Sequence, residues 1–104
     1  MPKELATLAE FEEAIKGDKV IVDFWATWCP PCQMIGPKYA AISEMDEYKG
    51  ITFCKVDVDN NGEAAQAAGI SCMPTFKVYK NGTEVDKLEG ASEQGIKDMC
   101  AKLV

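Results

Sequence analysis

Cys29-Pro30-Pro31-Cys32 sets two thiols apart by two residues, directly after Trp25-Ala26-Thr27-Trp28 and the apolar run Val20 to Phe24, and directly before a stretch of helical spacing. Such a pair can close into a small-ring disulfide. At a strand-to-helix junction, the helix start offers unpaired backbone N–H groups and the positive end of a dipole, and both favour thiolate over thiol. The thiolate is the species that attacks a disulfide, so the pair reads as a redox nucleophile with its partner. Two other uses of a Cys pair fit less well. Structural zinc takes four Cys or His ligands, whereas the chain has no His and Cys54, Cys72 and Cys100 show no second paired spacing. No metal site is expected. A purely structural bridge between such close neighbours would close too short a loop to restrain the unfolded chain much.

A second chemical candidate precedes the pair. Asp23 interrupts Val20-Ile21-Val22-Asp23-Phe24-Trp25, a run of β-branched and aromatic residues with the pattern of a strand covered on both faces. An acid inside such a strand is costly unless it is hydrogen-bonded, paired or kept protonated, which points to a task beside the Cys pair. Lys55 sits as awkwardly in a second apolar stretch, Ile51 to Asp59. Neighbouring central strands would bring Asp23 and Lys55 together as an acid and a base in one partly buried site.

The elements that must hold these groups follow from local signals. Thr7 with Glu10 three residues on opens a short amphipathic helix carrying Leu8, Phe11 and Ile15, which Gly17 ends. From Cys32, the residues Ile35, Tyr39, Ile42 and Met45 recur at helical spacing, and the expected helix runs to about Tyr48 with Pro37 as an internal kink. Asn60 or Asn61 caps a third helix through Ala64 and Ala68 that stops at Gly69. Pro74 at the entrance to a strand marks an edge, a bulge or a cis bond. Asn81-Gly82 between Thr75–Lys80 and Thr83–Leu88 predicts an antiparallel hairpin. After a turn at Gly90, Ser92 opens a last helix patterned by Ile96, Met99, Cys100 and Leu103. The expected class is α/β, a central mixed β-sheet with helices on both faces, and the Cys pair lies beyond the carboxyl end of a central parallel strand.

A chain of 104 residues suits one compact domain, residues 1–104, and is short for two. Its formal charge of −6 repels phosphate backbones and anionic lipid, so neither nucleic acid nor a membrane is an expected partner. The stretch Met1-Pro2-Lys3-Glu4-Leu5 lacks the apolar core of a signal peptide, and an odd count of five cysteines with one close pair is unlike a secreted scaffold. A cytoplasmic location is expected.

Taken together, Asp23-Phe24-Trp25-Ala26-Thr27-Trp28-Cys29 with Cys32, Lys55-Val56-Asp57-Val58-Asp59, Met73-Pro74-Thr75-Phe76 and Asn81-Gly82 resemble the thioredoxins in order and spacing over essentially the whole chain. The resemblance implies the thioredoxin fold and a general protein-disulfide reductase with no bound cofactor. Its partners would be disulfide-containing substrate proteins and an NADPH-dependent thioredoxin reductase that recharges the Cys29–Cys32 disulfide. By the same resemblance Cys29 is the attacking thiolate, Cys32 the resolving thiol and Asp23 a proton relay partnered by Lys55. Pro74 would be cis and face the pair. Trp28, Pro30, Pro31, Met73, Pro74, Gly90 and Ala91 would shape the substrate surface, with substrate backbone pairing at Met73. Pro30 stands where thioredoxins usually carry Gly. Cys72, next to Met73-Pro74, is expected at the rim of the groove, as a regulatory thiol able to link an otherwise monomeric protein into a dimer. A reading from another class is a non-catalytic binder that uses the same groove and is switched by thiol state.

Overall fold

A computed structural model describes residues 1–104. Strand β2 (Val20–Trp25) forms its centre, paired in parallel with β3 (Thr52–Asp57) on one side and antiparallel with β4 (Thr75–Lys80) on the other. A two-residue β1 (Lys3–Glu4) extends the sheet beside β3, and β5 (Thr83–Glu89) closes the far edge, giving the order β1-β3-β2-β4-β5. The hairpin between β4 and β5 turns through Asn81 and Gly82, both at positive φ (55° and 88°), as the Asn-Gly signal requires.

Four helices cover the two faces: α1 (Leu8–Ala14), α2 (Pro30–Ser43), α3 (Gly62–Ala68) and α4 (Glu93–Leu103). The pleat of β2 sorts its side chains. Ile21 joins Ile35, Tyr39 and Ile42 of α2 and Ile96, Met99 and Leu103 of α4, while Val20, Val22 and Phe24 join Phe11 of α1 and Ala64 of α3. Asp23, two residues after Ile21, therefore emerges on the α2 face. Fully burying a side chain of the size of Ile35 or Phe24 contributes roughly 1.5 to 3 kcal/mol, so these two clusters supply the main hold of helices on sheet. Tyr39 adds a directional link, its hydroxyl donating to the Cys54 carbonyl at 2.8 Å with that of Ile21 at 3.1 Å. This fixes α2, and with it the Cys pair, over β2 and β3.

The helix starts follow the sequence signals. The side chains of Thr7, Asn61 and Ser92 accept the N–H groups of Glu10, Ala64 and Gly95, and Asn61 rather than Asn60 is the cap of α3. One expectation needs correction, and one element was not foreseen. Helix α2 ends at Ser43 instead of near Tyr48, because the Ser43 hydroxyl turns back onto the Ala40 carbonyl and Met45 goes extended; Asp46–Tyr48 then form a separate 3₁₀ turn. That break lets Tyr48 and Ile51 both bury before β3 begins. Strand β1 had no counterpart in the sequence reading, since two residues carry no periodicity. It is held from outside, by pairing with β3 and by the fully buried Leu5, whose N–H donates to the Lys55 carbonyl.

Candidate functional site

Beyond the end of β2, the loop Ala26–Trp28 delivers Cys29 to the N-cap of α2, with Pro30 and Pro31 at the first helical positions. Prolines suit those positions because their fixed φ is already helical and the N–H they lack would have no partner within the helix. Two potential donors are thereby absent from the helix start. The Cys32 N–H remains and donates to Cys29 Sγ at 3.2 Å, so a negative charge on Cys29 would meet one backbone donor and the helix dipole. Cys29 and Cys32 are joined in a disulfide with their Cα atoms 5.2 Å apart. Both are buried in this oxidised form, among Ala26, Trp25, Val58 and Met73. Gln33 clamps the approach loop by donating to the carbonyls of Ala26 and Thr27. Its polar type at a helix start gave no hint of this contact.

Around the pair the remaining surface residues gather from three loops. Trp28 is 63% exposed, yet its indole N–H donates to Asp59 Oδ2 at 2.8 Å, which ties the ring to the loop after β3. The Met73–Pro74 peptide is cis, and the Met73 carbonyl lies 3.7 Å from Cys29 Sγ. Gly90, at φ +116°, donates its N–H to the Pro74 carbonyl, while Ala91 packs against the core cluster of α2 and α4. A side chain at that φ would be strained, which accounts for glycine there. Pro30 and Pro31 are exposed on the first turn of α2. Asp59 escaped the sequence reading because its partner is distant along the chain.

Behind the pair, a cleft of about 330 Å³ is lined by Asp23, Trp25, Cys32, Tyr39 and Lys55, with Gly36, Pro37 and Ala40 of α2 on its wall. Asp23 is 3% exposed, and its Oδ1 and the Trp25 indole N–H are the two buried side-chain atoms without a hydrogen-bond partner. Burial pushes the Asp23 carboxyl from 3.8 to about 7; the Lys55 charge pulls against this and Glu4 adds to it. Asp23 and Lys55 are register partners on β2 and β3, but the Lys55 ammonium sits 3.9 Å from Glu4 Oε1 and 5.3 Å from the centre of the Trp25 ring. Lys55 thus acts on Asp23 through its field rather than by contact.

The other thiols divide by burial. Cys54 and Cys100 are enclosed, and burial pushes both thiols up to about 11, which makes them poor nucleophiles. Cys72 is exposed and lies close to Thr75, whose hydroxyl donates to the Cys72 carbonyl.

A disulfide at a helix N-cap with a buried acid behind its second cysteine, on a five-stranded mixed sheet, defines a thiol–disulfide oxidoreductase. The family model for thioredoxin matches residues 3–102. A thioredoxin of Ictalurus punctatus is 46% identical over 100 residues, covering 93% of this chain and 94% of the relative. The solved thioredoxin of Plasmodium falciparum superposes with a TM-score of 0.93 at 44% identity, over 98% of this chain and 99% of that one. A yeast chain, solved to explain thiol resolution in mitochondrial 1-Cys peroxiredoxin via the glutathione and thioredoxin systems, superposes at 0.90 with 32% identity, over 97% of this chain and 94% of that one. The chain belongs to the thioredoxin family.

Proposed function

We propose that this oxidoreductase works as a general protein-disulfide reductase, with Cys29 as nucleophile, Cys32 as resolving thiol and Asp23 as proton relay. The observation that carries the reading is the asymmetry of the two sulfurs: Cys29 Sγ receives the helix-start N–H, while Cys32 shares the cleft of Asp23. In the reduced protein the Cys29 thiolate attacks one sulfur of a substrate disulfide; the other leaves with the bonding electron pair and takes a proton from water. Asp23, as carboxylate, removes the Cys32 proton. The Cys32 thiolate then attacks Cys29 Sγ, and the second substrate sulfur departs with its electron pair and is protonated. Two electrons have passed to the substrate and the Cys29–Cys32 disulfide is closed. A carboxyl near 7 suits a group that must both take and return a proton at neutral pH.

Extended substrate chain would lie over Trp28, Pro30, Pro31 and Ala91 and pair with the backbone of Met73, between cis-Pro74 and Gly90. Disulfide-containing proteins are the substrates, and a thiol peroxidase of the peroxiredoxin type is one candidate, by the likeness to the yeast chain. Electrons would come from NADPH through a thioredoxin reductase, with no cofactor bound to this chain. The thiols of Cys54, Cys72 and Cys100 suit a reducing compartment, which supports a cytoplasmic location. Insulin reduction followed by turbidity, with NADPH and thioredoxin reductase supplied, tests the reading. Precipitation of the freed insulin chain at catalytic protein concentrations is expected. Binding of substrate without turnover would favour the regulatory binder instead.

A further inference from the structure

Glu4, Lys55 and Asp23 are register partners across β1, β3 and β2, so their side chains emerge on one face as a row of acid, base and acid. One ammonium stands between two carboxyl groups and cannot serve both fully. It sits with the outer one: Lys55 Nζ is 3.9 Å from Glu4 Oε1, over the Trp25 ring, and has no Asp23 oxygen within salt-bridge reach. The inner carboxyl keeps an oxygen with no partner at all. Glu4 is itself oriented, since its Oε2 accepts the Asp57 N–H at 3.2 Å.

We propose that Glu4 is a positioning residue for the proton step: by holding the Lys55 ammonium at the outer end of the row it keeps Asp23 unpaired, so that this carboxyl can take and return the Cys32 proton. The proposal rests on the reading of Asp23 as the relay. A buried carboxylate paired with a lysine ammonium would be a weak base, because the pair favours its charged form. Lysine's flexible four-carbon stem makes such a swing feasible, and a competing anion is the simplest way to prevent it. The groups that face Asp23 are Lys55 from β3 with Glu4 beyond it on β1, Cys32 and the Tyr39 hydroxyl from α2, and the Trp25 indole, while β4 sets Phe76 beside it. Asp57 acts on Glu4 by charge. Glu4 is the one anion among these positioned to draw Lys55 outward. Its own charge also repels the Asp23 carboxylate, so both effects of removing it have the same sign.

The test is a carboxyl-carbon NMR titration of Asp23 in the oxidised protein. Glu4→Gln should lower the Asp23 midpoint by about half a pH unit or more, roughly threefold in proton affinity. Lys55→Gln should raise it. In the double variant, the effect of Glu4→Gln should shrink, because there is no ammonium left to release. An unmoved or raised midpoint in Glu4→Gln overturns the proposal, as does an equal Glu4 effect with and without Lys55, which would leave simple repulsion. The pH profile for resolution of the mixed disulfide is measured on the same variants and should move with the titration. A shifted titration with an unmoved rate profile overturns the relay instead, since Glu4 would then govern Asp23 without Asp23 governing the reaction.

Discussion

Replacing Asp23 by Asn keeps the shape of the side chain and removes its charge, which makes the variant a direct measure of what burying that carboxyl costs. Burial pushes the group from 3.8 to about 7, opposite in direction to a carboxylate held by a cation. The folded protein therefore binds this proton more tightly than the unfolded chain does. The resulting stability is fully present below about pH 4 and is lost as pH rises through about 7. A displacement of roughly 3 units corresponds to about 4 kcal/mol across the whole window. Asp23→Asn has no such proton to lose, so its advantage over wild type should grow with pH. Between about pH 5 and about pH 8 the gap should widen by about 3 kcal/mol, or roughly 1.5 M urea for a small domain unfolding with a slope of about 2 kcal/mol per M. Urea titrations of both oxidised proteins across that range give the number directly, because the other carboxyl groups are common to both and cancel in the difference. A gap that stays constant with pH would refute the reasoning: Asp23 would then titrate as an ordinary exposed acid. The same substitution should slow resolution by Cys32, which is left without its base.

Other outcomes follow from the same geometry. Pro30→Gly loosens the reduced loop and restores an N–H at the helix start, and both changes favour the dithiol; the reduction potential should rise by about 10 to 20 mV, read by equilibration against glutathione. A wild-type potential near about −180 mV or higher would instead mark the chain as an oxidant or isomerase. Cys72 is exposed while Cys54 and Cys100 are enclosed, so mild oxidation should yield a slow disulfide-linked dimer that blocks the groove, and non-reducing gels should show it in wild type but not in Cys72→Ser. Equal dimer in both proteins would sink that assignment.

What the sequence revealed of this fold and site depended on how local each signal was. Thr7, Ser92 and Asn81-Gly82 act within three or four residues of themselves, and the helices and hairpin they announce are where they were expected. The Asp23 misfit was visible because its neighbours are apolar, whatever strand lies alongside. The end of α2 was missed because periodicity continues through Met45 and Tyr48 although the backbone has already turned. Trp28 with Asp59, and Gln33 with the Ala26 and Thr27 carbonyls, are contacts of side chains whose types suit many surroundings. Lys77 was not foreseen as a buried cation either; it donates to the Ala68 carbonyl at the end of α3 and to Glu84 across the hairpin, partners that only the assembled sheet brings together. The row of Glu4, Lys55 and Asp23 needs the register of three strands, one of which is two residues long.

The most direct measurement of the central claim is which sulfur of the reduced pair is the nucleophile. In a Cys72→Ser background the exposed competing thiol is gone, and Cys54 and Cys100 are enclosed with thiols near 11. Substoichiometric iodoacetamide near neutral pH, followed by peptide mapping, should then place the label on Cys29, whose sulfur accepts the helix-start N–H. Predominant labelling of Cys32 would contradict the account.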